Sequence, residues 1–207
     1  GSSDAPAICG VSPYETPWQC WARHVGLLPD KEMTEEMAWG ILLQDTILQA
    51  IADREMGPLG YSHEVETAWS VERPWQRATP DGLARIGSTD GSLWLLEAKA
   101  LRSEPPDEPR LDWLVQVQHQ MMVFPAAAGA IIGAMGALTF RSYRVEPHPV
   151  LQRALLEAEE RFLALIESET PPPVRAEDNR WLAQAYPLAE TLKVVELGAA
   201  ALEWDRA

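Results

Sequence analysis

Asp81, Glu97 and Lys99 are the residues of this chain whose types and spacing could perform chemistry. Two carboxylates placed side by side in an apolar sheet repel each other unless a cation lies between them. Mg²⁺ suits such a pair, because it binds carboxylate oxygens and keeps several water ligands. A lysine beside it would lower the pKa of a metal-bound water, or stabilise the charge that develops on a phosphate during in-line displacement. The three residues therefore predict a metal-dependent phosphodiesterase site.

A predicted β-hairpin has to bring these side chains together. Its parts are a strand at 83–86, a Ser-Thr-Asp-Gly turn at 88–91 and a largely buried strand at 92–100. Because side chains alternate along a strand, Glu97 and Lys99 point to the same face, and the hairpin brings Asp81 near them. A purely structural interpretation stays open at this point. Asp81 could be an ordinary turn residue, and Glu97 and Lys99 an exposed ion pair that contributes little.

Length and composition indicate a single globular domain. The chain has 207 residues, 46% of them apolar, and we expect one domain over 1–207 with an appended helix at 188–207. No apolar run is long enough to span a membrane, and no signal peptide precedes the fold. The two cysteines, Cys9 and Cys20, are too few for a zinc or iron–sulfur site, so a reducing cytoplasm is the predicted location.

The net charge of −14 argues against binding to DNA, because contacts to phosphate supply most of the affinity in such complexes. The charges are unevenly distributed, however. Acidic residues concentrate at 30–36, 104–108, 157–169 and 177–178, whereas basic residues lie in or near the hairpin, at Arg73, Arg77, Arg85, Lys99 and Arg102. We therefore predict a locally basic groove on an acidic protein, with binding that is sensitive to salt.

Capping signals and periodicity predict the other elements, which together form an α/β fold with a central mixed sheet flanked by helices. Ser3 or Asp4 opens a short helix that ends at Gly10, and its N-terminus with the Ser3 hydroxyl could bind an anion. Thr34 caps a helix that runs to about Glu55. The predicted buried residues of that helix are Trp39, Leu43, Ile47, Ala50 and Ile51. Further elements are a strand at 66–71 beside the hairpin, a helix at 113–124 capped by Asp112, strands at 129–140 and 142–145, and a helix from Pro149 with Glu159 outward.

Three segments in register resemble one nuclease family: GSSDAPAICGVSPYETPWQCW at the start, ATPDG with LLEAKA in the middle, and WLVQVQHQMMVF after it. The chain resembles the PD-(D/E)XK nuclease superfamily and, within it, the YqaJ-type phage exonucleases related to lambda exonuclease. The resemblance covers residues 1 to about 186. It implies a restriction-endonuclease-like core around the predicted sheet.

The resemblance also implies roles for particular residues. Asp81 and Glu97 would hold Mg²⁺ or Mn²⁺ together with the backbone carbonyl of Ala98. Lys99 would activate water, and Gln116 would orient it, since an amide can donate to one oxygen and accept from another without adding charge.

Two further positions carry family roles at the edge of the site. Ser3 would contact the 5′-phosphate of DNA. Gln44, four residues after Gly40, stands where the family has a glutamate at the metal, so metal binding should be weaker here. His119 is predicted to be a buried neighbour and not a ligand, because magnesium prefers oxygen.

The implied function is degradation of one strand of duplex DNA from a 5′ end, in phage DNA recombination or repair, within the host cytoplasm. A ring-shaped homotrimer and a single-strand annealing partner are implied as well. Two alternatives stay open. One is an endonuclease on the same fold, and the other is a DNA-end-binding or assembly protein that has lost catalysis through Gln44.

Overall fold

The computed structural model describes residues 1–56, 61–63, 65–86 and 91–186. The helices are α1 (Ala5–Ile8), α2 (Pro17–His24), α3 (Glu35–Ile51, continued by a π-helical segment at Ala52–Met56), α4 (Leu111–Val123), α5 (Pro149–Glu167) and α6 (Asn179–Ala185), with a 3-10 turn at Ala176–Asp178. The strands are β1 (Tyr61–Ser62), β2 (Ala68–Trp69), β3 (Arg77–Ala78), β4 (Gly82–Ile86), β5 (Ser92–Ala100), β6 (Ala127–Gly136) and β7 (Thr139–Val145). Among these residues no helix is both long and apolar enough to cross a membrane.

Five strands form the central sheet in the order β1-β4-β5-β6-β7. β5 and β6 are parallel, and the other neighbours are antiparallel. The parallel pair needs a crossover, which α4 supplies between the two strands. The predicted α/β class with a mixed sheet flanked by helices is therefore confirmed, and so is the hairpin of β4 and β5.

Helices cover both faces of the sheet, and alternation along β5 assigns its side chains to one face or the other. Leu96 packs with Ile47 and Ile51 of α3. Leu95 packs with Trp113 and Val117 of α4. Glu97 and Lys99 follow Leu95 in steps of two, so they lie on the α4 face and away from α3.

The prediction that a strand at 66–71 lies beside the hairpin is wrong. Only Ala68–Trp69 is extended, and it pairs with β3 in a separate two-stranded sheet. The strand beside β4 is β1. Val71 is 98% exposed, so this segment lacks the buried apolar face that a strand of the central sheet needs.

The hairpin of β6 and β7 also turns earlier than predicted. The turn lies at Ala137 and Leu138, whose φ angles are +47° and +63°, and the prediction continued the strand through them to Phe140. Two consecutive residues with positive φ are typical of a tight hairpin turn. Asn and Gly usually occupy such positions, so Ala-Leu gave no turn signal.

Helix positions were predicted well, but not every residue on them. Trp39 is 55% exposed, and most of its neighbours in the first half of α3 are exposed as well. Asp112 is not the N-cap of α4: the helix begins at Leu111, and Arg110 binds the Asp112 carboxylate through two hydrogen bonds of 2.9 and 2.8 Å. The predicted turn residues 88–90 and the predicted helix at 188–207 lie outside the described residues.

Candidate active site

The catalytic candidate Asp81 lies immediately before β4, at the point where β5 extends beyond the end of β4. The pairing of the two strands ends at Gly82 and Leu96, so the backbone of β5 beyond Leu96 has no strand on that side. The Asp81 side chain occupies the position of the missing strand, because its Oδ2 accepts a hydrogen bond of 2.7 Å from the Ala98 N–H. The N–H and C=O of one strand residue point to the same edge. The Ala98 carbonyl therefore points toward Asp81.

Glu97, Lys99 and Gln116 form a closed triangle of hydrogen bonds. The Lys99 ammonium donates to Glu97 Oε1 at 2.7 Å and to Gln116 Oε1 at 2.8 Å, and Gln116 Nε2 donates to the same Glu97 oxygen at 2.8 Å. Glu97 is 3% exposed. The pair is therefore not the exposed surface ion pair that the sequence left open.

Gln120 belongs to the same network and was not predicted. Its Nε2 donates to the second Glu97 oxygen, Oε2, at 2.7 Å, and its own Oε1 is buried without a hydrogen-bond partner among the described residues. The available signal was its position four residues after Gln116, on the same side of α4. Two amides thus hold both oxygens of Glu97.

Negative charge is in excess at this point of the structure. Burial raises the pKa of Asp81 to about 7, and the nearby charge of Glu97 adds to the increase. Lys99 and the Ala98 N–H act in the opposite direction but do not outweigh the burial. A second cation would remove this repulsion, and an oxygen-only donor set is the kind that Mg²⁺ or Mn²⁺ takes. The residues present therefore fit a metal ion of this class.

A second group of candidate ligands lies elsewhere, at Asp4, Cys20 and His24. Arg23 donates to Asp4 Oδ1 at 3.1 Å and approaches Cys20 Sγ at 3.8 Å, so a guanidinium already occupies this place. Burial raises the pKa of the Cys20 thiol to about 12, which keeps it protonated. This group fits a metal ion less well than the hairpin does.

A cavity opens beside Lys99 and Gln116. Its lining residues are Ser3, Pro6, Ser12, Tyr14, Lys99, Ala100, Leu101, Asp112, Trp113 and Gln116. Ser3 is exposed and lies just before α1, so the N-terminal segment contributes a hydroxyl to the space next to Lys99. The structure thus brings Ser3 to the same cavity as two of the predicted catalytic side chains.

Gln44 is not brought into this network. It lies half-buried on α3, which packs on the sheet face opposite to Glu97 and Lys99. Within the described ranges no hydrogen bond joins it to Asp81, Glu97 or Lys99. The neighbouring Asp45 points elsewhere, with Oδ1 3.3 Å from His63 Nδ1.

Comparisons with known proteins give a family and a set of similar folds. Residues 1–130 match the family described as "YqaJ-like viral recombinase domain". One similar structure is an alkaline exonuclease from Laribacter hongkongensis, with 16% identity, a TM-score of 0.60 and coverage of 88% of this chain and 92% of that chain. Its complex with dAMP gives 15% identity, a TM-score of 0.62 and coverage of 91% and 93%. A phage-related exonuclease from Haemophilus somnus gives 11% identity, a TM-score of 0.55 and coverage of 81% and 94%.

At these identities the structural similarity establishes the fold and nothing finer. No curated protein matches the chain. The family match covers more than half of the 207 residues and includes the whole β-hairpin with Asp81, Glu97 and Lys99. On this basis the chain belongs to the family of YqaJ-like viral recombinase domains.

Proposed function

We propose that this protein is a metal-dependent exonuclease that degrades one strand of duplex DNA from the 5′ end in phage DNA recombination. The observation that carries the proposal is the meeting of two carboxylates, an ammonium and two amides beside a cavity. Asp81 approaches the Ala98 N–H to 2.7 Å, and Lys99 approaches both Glu97 and Gln116. The similar structures named above are exonucleases, which supports the same substrate class for this chain.

Asp81, Glu97 and the Ala98 carbonyl would hold Mg²⁺ or Mn²⁺. When bound, such an ion supplies a Lewis acid and water of lowered pKa. Lys99 has three ammonium donors, of which two are directed to Glu97 and Gln116. The third would then bind an oxygen of the scissile phosphate, or the attacking water, and stabilise the charge that develops there.

The amides of Gln116 and Gln120 hold this arrangement in place. Each donates to a different oxygen of Glu97, so the carboxylate plane cannot rotate without breaking a hydrogen bond. Gln116 also accepts from Lys99, which fixes the ammonium relative to the carboxylate. A preorganised site of this kind needs little rearrangement when the substrate reacts.

The 5′ polarity rests on Ser3. Its hydroxyl lies at the cavity that also contains Lys99, so a terminal phosphate bound there would place the adjacent phosphodiester toward the carboxylates. Degradation would then proceed from the 5′ end.

Assembly is a further part of the proposal. The first half of α3 exposes large apolar side chains, namely Met37, Trp39, Ile41 and Leu42, with exposed fractions of 43–70%. Exposed apolar patches commonly mark surfaces that associate. We propose that the protein forms the homotrimer that the family resemblance implies and that it acts with a single-strand annealing protein.

A gel assay on linear duplex DNA tests the function. One strand carries a 5′-phosphate and a 3′ label, and parallel reactions contain Mg²⁺, Mn²⁺ or EDTA. We expect progressive shortening from the 5′ end only when metal is present, and no cleavage of a covalently closed circle. Cutting of the closed circle would favour the endonuclease alternative. DNA binding without cleavage would favour the end-binding protein.

A further inference from the structure

His119 and Glu159 form a buried polar contact beside the candidate active site. His119 lies on α4 and Glu159 on α5, with exposed fractions of 3% and 4%. His119 Nδ1 is 2.6 Å from Glu159 Oε1, and Nε2 is 3.0 Å from the backbone carbonyl oxygen of Arg77. Gln76 closes the ring, because its Nε2 donates to Glu159 Oε2 at 2.7 Å. The prediction that Glu159 points outward is therefore wrong.

The two hydrogen bonds of His119 require one proton more than a neutral imidazole and an ionised carboxylate carry together. Both atoms that face the imidazole are oxygens, one from a carboxyl group and one from a peptide carbonyl. A neutral imidazole has a single N–H. Either His119 donates from both nitrogens to an ionised Glu159, or Glu159 carries a proton and donates it to Nδ1. In both forms the pair has no net charge, which is how a buried pair avoids an uncompensated charge.

The ring joins the two arms of the chain that form the candidate site. The first arm begins in β3 with Arg77, and Asp81 is the fourth residue after it in the sequence. The second arm is α4, where His119 lies between Gln116 and Gln120. The hydrogen bond from His119 to Arg77 is a direct link between the strand that leads to Asp81 and the helix that carries the two amides.

We propose that His119 is a positioning residue for the reaction, which it serves by holding Asp81 at the correct distance from the amides that grip Glu97. The inference rests on the proposed function, because Asp81 and Glu97 are the proposed metal ligands and the two amides hold Glu97 in place. Within the described part of the chain, His119 makes no hydrogen bond to Asp81, Glu97 or Lys99. Its effect passes through the Arg77 carbonyl, so losing that hydrogen bond should misplace Asp81 without removing any catalytic group.

Two conservative variants separate this role from a merely structural one. The amide nitrogen of Asn can replace Nδ1, and that of Gln can replace Nε2. His119→Asn therefore keeps the contact with Glu159 and loses the link to Arg77. His119→Gln keeps the link to Arg77 and leaves the buried Glu159 without its partner, which should reduce stability. His119→Asn should therefore lose mainly activity, and His119→Gln should lose mainly stability.

We expect kcat for duplex DNA to fall about 10- to 100-fold in His119→Asn with KM changed less than about threefold, because misplacement by about 1 Å costs this much. His119→Gln should keep kcat within about threefold of wild type while melting at a lower temperature than His119→Asn. Gln118→Leu is the matched control. Gln118 also joins α4 to α5, through hydrogen bonds to Glu146, His148 and Gln152, but among the described residues it makes no hydrogen bond to β3. This control should lose stability and keep kcat.

Hydrogen exchange at the Ala98 amide gives a readout that needs no activity. That amide donates to Asp81 at 2.7 Å, so its exchange rate reports whether Asp81 stays in place. Exchange should be about tenfold faster in His119→Asn and unchanged in His119→Gln and Gln118→Leu. If kcat follows melting temperature across the three variants, and Ala98 exchange is unaffected in His119→Asn, the inference is wrong. An inactive wild type would overturn the proposed function, and the exchange rates would still decide on His119.

Discussion

Two buried ion clusters in this protein differ in their balance of charge. The N-terminal cluster has two carboxylates, Asp4 and Glu15, and at least one cation for each of them, namely Arg23, Lys31 and the Gly1 ammonium. The hairpin cluster has two carboxylates and one cation, namely Asp81, Glu97 and Lys99. Asp4 and Asp81 both have little exposure to solvent, so burial penalises the ionisation of each.

The pKa values of the two aspartates show the difference. Burial alone would raise the pKa of Asp4, but the hydrogen bond with His24 and neighbouring positive charge bring it well below the usual value. At Asp81 burial and the charge of Glu97 prevail, and the pKa rises to about 7. A balanced cluster stabilises the fold by itself. The unbalanced cluster lacks such compensation, and this shortage of positive charge supports the proposal that a metal ion binds at the hairpin.

The largest expected effect is on catalysis at the unbalanced cluster. Lys99→Ala should reduce cleavage by about 10³-fold, because it removes the donor that stabilises developing charge. DNA binding should change little, and the melting temperature without metal should fall, because the buried Glu97 carboxylate loses its ammonium partner. Lys31→Ala, which removes a cation from the balanced cluster, should leave the cleavage rate unchanged. Single-turnover rates on labelled duplex measure both. Activity of Lys99→Ala within a few-fold of wild type would refute the role of Lys99.

Neutralising one aspartate in each cluster should change stability with opposite signs. A raised pKa means that the stability contributed by protonated Asp81 is complete below about pH 4 and is lost as the pH rises through about 7. Without metal at pH 8, Asp81→Asn should therefore raise the melting temperature by several degrees. The lowered pKa of Asp4 means that its ionised form stabilises the fold above about pH 4, so Asp4→Asn should lower it.

Calorimetry in EDTA at pH 5 and pH 8 distinguishes these outcomes. The gain in Asp81→Asn should shrink at pH 5, where the wild-type carboxyl is already protonated. Adding Mg²⁺ should stabilise wild type and not Asp81→Asn. A loss of stability in both asparagine variants at pH 8 would mean that the hairpin cluster is balanced after all.

A smaller effect is expected at Ser3, at the cavity beside the unbalanced cluster. Wild type should degrade 5′-phosphorylated ends faster than 5′-hydroxyl ends, and Ser3→Ala should reduce this preference about three- to tenfold, the value of one hydrogen bond. Initial rates on the two substrates measure the ratio. Ser2→Ala is the matched control, since Ser2 is buried and does not line the cavity. Equal wild-type rates on both ends would remove the phosphate pocket from the proposal.

The smallest effect is expected at Gln44. Gln44→Glu adds a negative charge to α3, on the sheet face opposite to the unbalanced cluster, and should lower the Mg²⁺ concentration for half-maximal cleavage by only about twofold, since a longer-range charge is partly screened. The attacked DNA end should not change. A titration of rate against Mg²⁺ measures this. An unchanged requirement would show that α3 acts only as packing on the opposite sheet face.

Local patterns in the sequence were sufficient to predict the hairpin and the placement of Asp81, Glu97 and Lys99 on it. Alternation puts Glu97 and Lys99 on one face whatever the rest of the fold does, and the chain reversal brings Asp81 beside them. The start of α5 at Pro149 was also predicted, because a proline fits the first turn of a helix. These features depend on residues that are close in the chain, so few arrangements compete.

Only the tertiary structure could decide which distant groups meet. Gln116 and Gln120 share a side of α4 by periodicity, but the parallel pairing of β5 and β6 places that side over Glu97. Glu159 is charged and was assigned to solvent, and its burial depends on His119, which is 40 residues away in sequence. Within the segment at 66–71, Ala68–Trp69 pairs with β3 and not with β4. A polar side chain becomes buried when a partner satisfies its hydrogen bonds, and that partner is selected by packing between elements, which no local pattern records.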